Sequence, residues 1–497
     1  MPAELPLLKH QHDHRFTLLM DDKKSLIPNR KPNAGEQYRF HFDISTCIGC
    51  KCCVVACNEQ NGNPAHINWR RVGEIEGGVY PETQRFHMSM GCNHCLEPAC
   101  MIGCPVEAYT KDEATGIVLH SADTCIGCQY CTWNCSYGVP QFNEDRGVVG
   151  KCDMCHGRLT AGSAPACVNA CPEGAISIEL VDMLAWRVDH ASADAPGMPS
   201  SDDSLSTTRI TMPEMAIPAL GRVDITRVQP EHAHLSLVFL LVLTQLSAGA
   251  FATFWLLEMM GVQLGAMAGL LPLVIGMIAL SAAPMHLGRP IHAYRAIKNW
   301  KRSWLSREIL ALSMFAGAAT AYAGALFLGL PMTGWLAAGA LGAGILGVMS
   351  SARIYIVKAR PSWNSAFTMV DFYLTAAVLG PRILLAAGSS NSDVVYWLAA
   401  AATVAQIANH LVRFHWLKSS SQHELKASAG LLMGVLHDQV QARYLLWGLS
   451  LMTLFFSPVA SFVLALLAES VSRWLFFCSV VPKTVASTYL TPRGAAA

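Results

Sequence analysis

The stretch that decides the fold of the first third of the chain reads TCIGCKCCVVAC, from Thr46 to Cys57. Four of its cysteines follow the spacing C-x2-C-x2-C-x3-C. In this spacing a tight loop wraps three thiolates around one cubane iron–sulfur cluster and sends the fourth thiolate to a second cluster. The pattern returns as TCIGCQYCTWNC, from Thr124 to Cys135. A ligand loop that occurs twice indicates a duplicated ferredoxin.

Two further cysteine groups complete the pattern, and each of them ends in C-x3-C-P. The range Cys47–Cys171 holds 17 of the 18 cysteines, and 16 of these fall into four groups of four. The groups are Cys47, Cys50, Cys53 and Cys57; Cys92, Cys95, Cys100 and Cys104; Cys125, Cys128, Cys131 and Cys135; and Cys152, Cys155, Cys167 and Cys171. At four thiolates per cluster, the sequence predicts four [4Fe–4S] clusters in an α+β, ferredoxin-like domain.

Two other uses of cysteine fit this sequence less well. Disulfides are a poor fit because cysteines three residues apart are too crowded for several independent bridges, and residues 1–42 lack the apolar run of a secretory signal. Zinc ribbons also repeat C-x2-C, but they need neither the further thiolates at these intervals nor the following proline. Cys52, His94 and His156 lie inside the cysteine loops, and they are expected to surround a cluster rather than to ligate it.

Beyond residue 234 the composition changes to that of a membrane protein. The chain is 52% hydrophobic and only 14% charged, and the long apolar runs all follow residue 234. Each run is long enough for a helix of about 20 residues, although the last one is interrupted. The predicted spans are Leu235–Leu257, Gly265–Pro284, two within Ile309–Ala352, Val370–Gly388, Val394–Trp416, Tyr444–Leu467 and Val471–Leu490. This part is therefore predicted to be an all-α, polytopic domain of about eight transmembrane helices.

These changes in composition divide the chain into four parts. Residues 1–40 are expected to form an extended arm, 41–180 the iron–sulfur domain, 181–230 a linker and 231–497 the membrane domain. The linker prediction depends on Ala191–Thr208, which is rich in Ser, Asp, Ala and Pro. The formal net charge of +1 gives no reason to expect a nucleic-acid partner.

Basic residues are distributed unevenly between the two sides of the predicted spans. The loops between spans two and three, after span four and after span six carry most of them, whereas the opposite loops carry little beyond Arg382 and Arg473. The basic loops lie on the side from which the chain enters the first span. By the positive-inside rule, the iron–sulfur domain is therefore predicted to be cytoplasmic, on a prokaryotic plasma membrane.

The cysteine region resembles the four-cluster electron-transfer subunit of the dimethyl sulfoxide reductase family of molybdoenzymes. The resemblance implies that each cluster takes ligands from two of the cysteine groups. The four implied sets are Cys47, Cys50, Cys53 and Cys171; Cys57, Cys152, Cys155 and Cys167; Cys104, Cys125, Cys128 and Cys131; and Cys92, Cys95, Cys100 and Cys135. It further implies that the first set lies beside a catalytic subunit and the last set beside the membrane.

Two motifs of the apolar region are similar to the haem-free, eight-helix anchor of the same family. They read MHLGRP, from Met285 to Pro290, and SWLSRE, from Ser303 to Glu308. Gln245 in the first span belongs with them. The resemblance implies that the iron–sulfur and anchor subunits, usually separate, are fused in this one chain.

Three ionisable residues at the iron–sulfur side of the spans are the candidate quinol-binding residues: His286, Glu308 and Asp371. Quinol oxidation needs a proton acceptor such as histidine and a carboxylate or water path for the second proton. The alternative is that these groups only reach the lipid headgroups. A haem b would need two axial histidines within the spans; only His410 lies inside a run, so no haem is expected.

These expectations describe an electron-transfer and anchor protein for which no catalytic residue is predicted. It would oxidise membrane quinol and pass electrons through four clusters to a separate, molybdopterin-containing subunit in anaerobic respiration. The same array could run in reverse, from a dehydrogenase partner to quinone, because cluster potentials depend on hydrogen bonds and solvation that the sequence does not give. The third alternative, of another class, is a zinc-stabilised membrane protein without a redox role.

Overall fold

The computed structural model describes residues 26–483, apart from gaps at 215–219, 224, 226–227, 263, 266–267, 332 and 390–391. Its first part contains small sheets and short helices. The strands are β1 (Glu36–Asp43), β2 (Arg71–Val79), β3 (Glu82–Met90), β4 (Tyr109–Lys111), β5 (Val118–His120), β6 (Gln141–Asn143), β7 (Val148–Gly150), β8 (Ile176–Asp182), β9 (Arg209–Thr211) and β10 (Gly221–Arg222). They form sheets in the orders β8-β1-β9, β10-β2-β3, β4-β5 and β6-β7.

The strand β1 lies at the centre of the first sheet. It pairs with β8 in antiparallel fashion and with β9 in parallel. Its alternate residues Tyr38, Phe40 and Phe42 are buried in the core that surrounds the cysteines, as expected for a strand with one face on a core. Since β1 begins at Glu36, it includes residues that the sequence assigned to the arm.

The short helices of this part are α1 (Cys52–Asn61), α2 (Ala99–Gly103), α3 (Tyr130–Asn134), α4 (His156–Thr160) and α5 (Ala166–Asn169).

Equivalent positions in the two copies of the repeat share a left-handed backbone. The pairs are Gly49 (φ 71°) and Gly127 (70°), Lys51 (61°) and Gln129 (59°), His94 (41°) and Met154 (58°), and Glu107 (56°) and Gly174 (63°). Positive φ is uncommon outside glycine, so its recurrence at matched positions confirms the duplicated, ferredoxin-like fold.

The range predicted as a linker packs against the cysteine region. It contains the helix α6 (Met183–Asp189), whose first turn is capped by Asp182, two short 3-10 helices, and β9. Trp186 donates to the Ser206 carbonyl at 2.7 Å, and the Leu96 amide donates to the Leu205 carbonyl at 2.9 Å. Ser and Asp are residues of caps and turns as well as of linkers. We propose that the folded iron–sulfur region extends from Glu36 in β1 to Arg222 in β10, because β10 pairs with β2.

The second part is all helical, as predicted. Its helices are α7 (Leu235–Met259), α8 (Leu270–Ala282), α9 (Trp304–Leu328), α10 (Thr333–Tyr355), α11 (Ala366–Ala386), α12 (Asp393–Ser419), α13 (His423–Met433), α14 (His437–Thr453) and α15 (Pro458–Cys478). Six helices among the described residues are long and apolar enough to cross a membrane. A seventh is added if the pair Leu270–His286 and Pro290–Ile297, bent by 105°, counts as one span.

The last predicted spans have different bounds in the structure. The run Tyr444–Leu467 is divided between α14 and α15, because α15 begins at Pro458, where proline suits the first turn of a helix. Of the predicted span Val471–Leu490, residues 484–490 lie outside the described residues. The count of basic residues placed Arg382 and Arg473 with the loops of the opposite side, although both lie inside predicted spans. Both are buried within helices, at 0% and 2% exposure.

Candidate functional site

Two cavities of the iron–sulfur region are each lined by four cysteines. One is lined by Cys47, Cys50, Cys53 and Cys171. The other is lined by Cys92, Cys95, Cys100 and Cys135. They correspond to the first and the last of the implied sets, in which the fourth cysteine comes from a distant group. A cavity ringed by four thiols fits a cubane cluster, which is held at its corners by thiolates.

The other two sets are also brought together. Cys104, Cys125, Cys128 and Cys131 share one buried group of side chains. Cys57, Cys152, Cys155 and Cys167 are close enough to influence one another electrostatically. Among the described residues, no three His, Cys, Asp or Glu side chains are arranged to hold a single metal ion.

The cysteine thiols lie in surroundings that disfavour a bare negative charge. Burial raises the pKa of the thiols of Cys57, Cys95 and Cys128 to about 12. Nearby cysteines raise the pKa of Cys57 further when they are charged. Thiolates at these positions would therefore be stabilised by bound iron, whose binding would release protons.

Two polar side chains next to the cysteines were not identified from the sequence. The Lys151 ammonium, 3% exposed for the whole residue, lies 3.9 Å from Cys92 Sγ and donates to the Cys152 carbonyl at 2.7 Å. The Ser204 hydroxyl donates to Cys95 Sγ at 3.1 Å. Such contacts tune cluster potentials. A lysine directly before a ligand cysteine was a visible signal, whereas Ser204 is distant in sequence.

The motif MHLGRP packs against the second copy of the cysteine loop. The Gly288 amide donates to the Gly127 carbonyl at 3.3 Å, and the Arg289 amide donates to the Ile126 carbonyl at 3.1 Å. A Cβ atom on Gly127 would lie 2.9 Å from Gly288 Cα. The two backbones therefore approach more closely than a side chain at either position allows.

The neighbouring motif extends this junction. The Asn299 amide group donates to the Cys104 carbonyl at 2.8 Å, and the Ser303 hydroxyl donates to the Gly103 carbonyl at 2.7 Å. The Trp133 ring lies among aromatic rings of the membrane domain, 5.6 Å from that of Trp363. The cysteines at the junction are thus those of the set containing Cys104. The resemblance implied the set containing Cys92 for the place beside the membrane, whereas these contacts are made by the set containing Cys104.

His286 lies immediately before this junction. It ends a 3-10 helix, Ala283–His286, and the next residue, Leu287, packs against the buried group that contains Cys104. Its Nδ1 atom is buried and has no hydrogen-bond partner among the described residues. A buried imidazole nitrogen without a protein partner is suited to bind a polar ligand.

Glu308 and Asp371 are both buried but do not touch each other or His286. Glu308, in the first turns of α9, accepts a hydrogen bond from Ser351 at 2.5 Å. Asp371, in α11, bonds His410 at 2.9 Å and Arg473 at 3.1 Å. No hydrogen bond or ion pair joins any two of these three side chains.

A polar network around Asp371 was not recognised from the sequence. It joins side chains from five helices, and its further members are Gln245, Thr375, Gln406, His410, Trp447, Glu469, Ser472 and Arg473. The signal that was available is the pair Glu469 and Arg473, four residues apart inside an apolar run, since charged residues within a span face the bundle interior.

Comparison with known proteins agrees with both parts of this structure. Residues 83–180 match a 4Fe-4S dicluster domain, and residues 230–478, about half of the chain, match the DMSO reductase anchor subunit (DmsC). The first match favours iron–sulfur clusters over zinc in the cysteine region.

The iron–sulfur region is also similar to curated relatives. It is 36% identical over 191 residues to a polypeptide of the anaerobic dimethyl sulfoxide reductase of Haemophilus influenzae, covering 37% of this chain and 89% of that protein. It is 39% identical over 168 residues to the Escherichia coli counterpart, covering 32% of this chain and 82% of that protein. A polypeptide of the sulfite dehydrogenase of Allochromatium vinosum is 36% identical over 160 residues, 28% of this chain and 67% of that protein. The chain therefore belongs to the dimethyl sulfoxide reductase family, and it joins an iron–sulfur electron-transfer subunit to a DmsC-type membrane anchor in one polypeptide.

Proposed function

We propose that this chain oxidises membrane quinol and passes the electrons through four [4Fe–4S] clusters to a separate, molybdopterin-containing catalytic subunit. The observation that carries the proposal is the junction of His286 with the cysteine loop. Two residues after His286, Gly288 bonds the Gly127 carbonyl, and Cys128 follows Gly127 directly. A quinol bound at His286 would therefore have an electron acceptor adjacent to it.

The proposed ligands are the 16 cysteines in the four sets given above. When bound, the clusters accept and release single electrons, which suits the stepwise oxidation of a quinol. The chain contributes the thiolates, the buried Lys151 beside two sets, and the turns that bring the backbone close. The cavity of Cys47, Cys50, Cys53 and Cys171 is proposed to face the catalytic subunit, and exposed Ile48 at its rim gives that face an apolar contact.

The quinol chemistry is assigned to His286 and Glu308. The free, buried Nδ1 atom of His286 is placed to accept a hydrogen bond from a quinol hydroxyl, and then its proton. Glu308 is 6% exposed and held by Ser351, so its carboxylate is oriented within the bundle. Asp371 remains a proposed member of the site, and the ring of its neighbour Phe372 lies 5.7 Å from that of Tyr355. The iron–sulfur side is proposed to be cytoplasmic.

The test is reduction of the clusters by a quinol analogue, followed by electron paramagnetic resonance of membranes that contain the full chain. We expect His286→Ala to lower the rate by a factor of about 100 or more, since it removes a positioned proton acceptor, with normal reduction by dithionite. His292→Ala is the matched control, because His292 also has an unpartnered Nδ1 atom but lies beyond the junction. A wild-type chain whose clusters accept no electrons from quinol would end the proposal.

The alternative is the reverse current, from a dehydrogenase partner to quinone. Relatives named as iron–sulfur subunits of formate dehydrogenases favour it: those of Haemophilus influenzae and Escherichia coli are 38% and 35% identical over 170 and 172 residues. This chain spans 54% and 58% of those proteins. A redox titration of the clusters, compared with the potential of the membrane quinone, separates the two directions.

A further inference from the structure

Two cations are buried inside the iron–sulfur region without a carboxylate beside them. Arg70 is 2% exposed and Lys151 is 3% exposed. Neither of them forms an ion pair with an acidic side chain among the described residues. A charge that is taken out of water is costly unless an opposite charge compensates for it. The two side chains therefore indicate that a negatively charged group of another kind belongs beside them.

Arg39 shows the usual arrangement of a buried cation in the same region. It is 8% exposed, and its Nη2 and Nε atoms donate to one carboxylate oxygen of Glu179 at 2.9 Å and 3.1 Å. The charges that act on Arg39 most strongly belong to carboxylates and to another arginine, and not to cysteines. Its charge is therefore compensated within the protein, whereas those of Arg70 and Lys151 are not.

Arg70 lies directly before β2, beside the cavity of the Cys47 set. Its Nη1 atom donates to the Ser89 hydroxyl at 3.1 Å, and that hydroxyl lies 3.5 Å from Cys53 Sγ. Ser89 and Cys53 both line this cavity. The Nε and Nη2 atoms of Arg70 are buried and have no hydrogen-bond partner among the described residues. A guanidinium with unused buried donors fits a position beside an anionic group that accepts hydrogen bonds.

Cysteines of two different sets surround this guanidinium. Those that interact with it electrostatically are Cys53 of the Cys47 set, and Cys57, Cys152 and Cys167 of the Cys57 set. Arg70 therefore lies between the two places where these sets are proposed to hold their clusters.

The guanidinium of Arg70 is fixed in this position by packing. The centre of the Phe40 ring lies 4.5 Å from its central carbon, which is the geometry of a cation–π contact. On another side lies Gly91, which directly precedes Cys92, and a Cβ atom added there would be 3.0 Å from Nη2. A side chain at Gly91 would press on the guanidinium. The charge of Arg70 thus has a defined position relative to the cysteines.

Lys151 lies in the corresponding place between the Cys57 set and the Cys92 set. It directly precedes Cys152, and its ammonium donates to the carbonyls of Val118 and Cys152, to the latter at 2.7 Å. On its other side the ammonium lies 3.9 Å from Cys92 Sγ, and Lys151 lines the cavity of the Cys92 set. The Cys57 set is therefore beside both cations, and the Cys47 and Cys92 sets are each beside one.

The Cys104 set provides an internal comparison. The charges that act most strongly on Cys104, Cys128 and Cys131 are those of other cysteines. The polar side chain next to this set is Tyr109, whose buried hydroxyl is neutral. Among the described residues, no buried lysine or arginine lies beside the Cys104 set.

We propose that Arg70 and Lys151 are fixed countercharges of the cluster chain. Arg70 raises the reduction potentials of the clusters of the Cys47 and Cys57 sets, and Lys151 raises those of the Cys57 and Cys92 sets. A cluster held by four thiolates is negatively charged and gains one further negative charge when it takes up an electron, so a buried cation stabilises its reduced form more than its oxidised form.

The position of each cation between two clusters has a second consequence. An electron on one cluster repels an electron that arrives on the next, and a positive charge between them weakens this repulsion. Neighbouring clusters can then be reduced at the same time. The inference rests on the proposed cluster sets, but it requires neither quinol nor a particular direction of electron flow.

The test is a redox titration of Arg70→Gln in the full chain, followed by electron paramagnetic resonance. We expect two of the four cluster potentials to fall, each by about tenfold or more in the equilibrium constant of reduction, which is about 59 mV for one electron. Iron and sulfide per chain should stay the same. Arg70→Lys keeps a positive charge and should restore most of the shift, which a purely structural role of the arginine does not predict.

Lys151→Gln should also lower two potentials, and one of them should be shared with Arg70→Gln. The shared cluster is that of the Cys57 set. Cys128→Ser alters the cluster of the Cys104 set and so identifies the potential that should stay the same in both variants. Two variants that lower the same pair of potentials, or all four, would overturn the proposal.

Arg39→Gln is the matched control, because it removes a buried guanidinium that is paired with Glu179. It should leave all four potentials unchanged, and a shift like that of Arg70→Gln would overturn the proposal. Full iron with four unchanged potentials in Arg70→Gln would overturn it as well, while the proposed function stands. If Arg70→Gln loses iron, Lys151→Gln decides in the same way. A wild-type chain without four clusters would instead refute the cluster sets of the proposed function, and the countercharges with them.

Discussion

The two halves of this protein hold their chemically active groups in opposite ways. In the iron–sulfur region the proposed ligands of each set lie three to twelve residues apart in sequence, and only one thiolate of each set comes from a distant group. In the membrane domain each of the five helices contributes one to three groups, and Asp371, Gln406 and Glu469 meet only through packing. The difference teaches that cluster ligation is a local property of the chain, whereas the polar network of the bundle is a property of the fold.

The strongest test in the iron–sulfur region is the loss of one cluster ligand, which we expect to have the largest effect of the variants considered. Cys128→Ser removes a thiolate of the set at the junction. Because that set is beside His286, its cluster should be lost or altered and quinol-driven reduction of the remaining clusters should be abolished. Iron and sulfide per chain, with paramagnetic resonance of the remaining clusters, measure both effects.

Cys52→Ser is the control for this variant, since Cys52 is exposed and belongs to none of the four sets. It should keep the iron content and the rate of the wild type. Equal loss of iron from both variants would contradict the ligand sets, and full iron in Cys128→Ser would contradict the assignment of that residue.

The parts of the structure that could be predicted from the sequence differ in the same way between the iron–sulfur region and the membrane domain. The duplicated ferredoxin and the cysteine groups could be predicted from the sequence, because short spacings between cysteines determine the ligand loops. The helical domain could also be predicted, because a run of about 20 apolar residues is enough for one membrane span. Arg473 was read as a loop residue, because a charge in an apolar run looks like an interruption until Asp371 and Gln245, from other helices, are seen beside it.

The junction between the halves was only partly predictable. The motif MHLGRP was singled out because it contains His286, but its Gly288 has a separate structural role. Gly288 packs on the backbone of Gly127 and Gly147, which are 161 and 141 residues earlier in the chain. No spacing rule connects positions so far apart, so the sequence did not show which cysteine set contacts the membrane domain.

The second prediction concerns this junction and is of intermediate size. In Gly288→Ala the added Cβ would meet the backbone of Gly147, with the carbonyl carbon at 2.6 Å. Backbone cannot turn aside as a side chain does, so the two regions must separate slightly, at a cost of about 1–3 kcal/mol. We expect quinol-driven cluster reduction to fall by about tenfold, since small displacements of reacting groups are costly.

Gly317→Ala is the control here, because a Cβ at Gly317 meets no atom within 4 Å. The comparison uses the rate of cluster reduction by quinol and the iron content of both variants. A normal rate in Gly288→Ala would show that the halves tolerate movement, and that their contact does not limit electron transfer.

The smallest expected effect concerns where the iron–sulfur region ends. His190 Nε2 bonds Asp202 at 2.7 Å and so joins two turns within the segment that was predicted to be a linker. This hydrogen bond raises the pKa of His190 above its usual value of 6.5. A raised folded-state pKa means that the stabilisation is fully present below pH 6.5 and is lost as the pH rises through the higher, folded value. Hydrogen-exchange protection of Ser201–Ser206 should therefore decrease over this range, by a factor of roughly two to five because the pair is exposed.

His190→Gln should remove the dependence, and exposed His66→Gln should not. Protection that is constant with pH in the wild type would mean that packing of Trp186, rather than the ion pair, holds the segment in place.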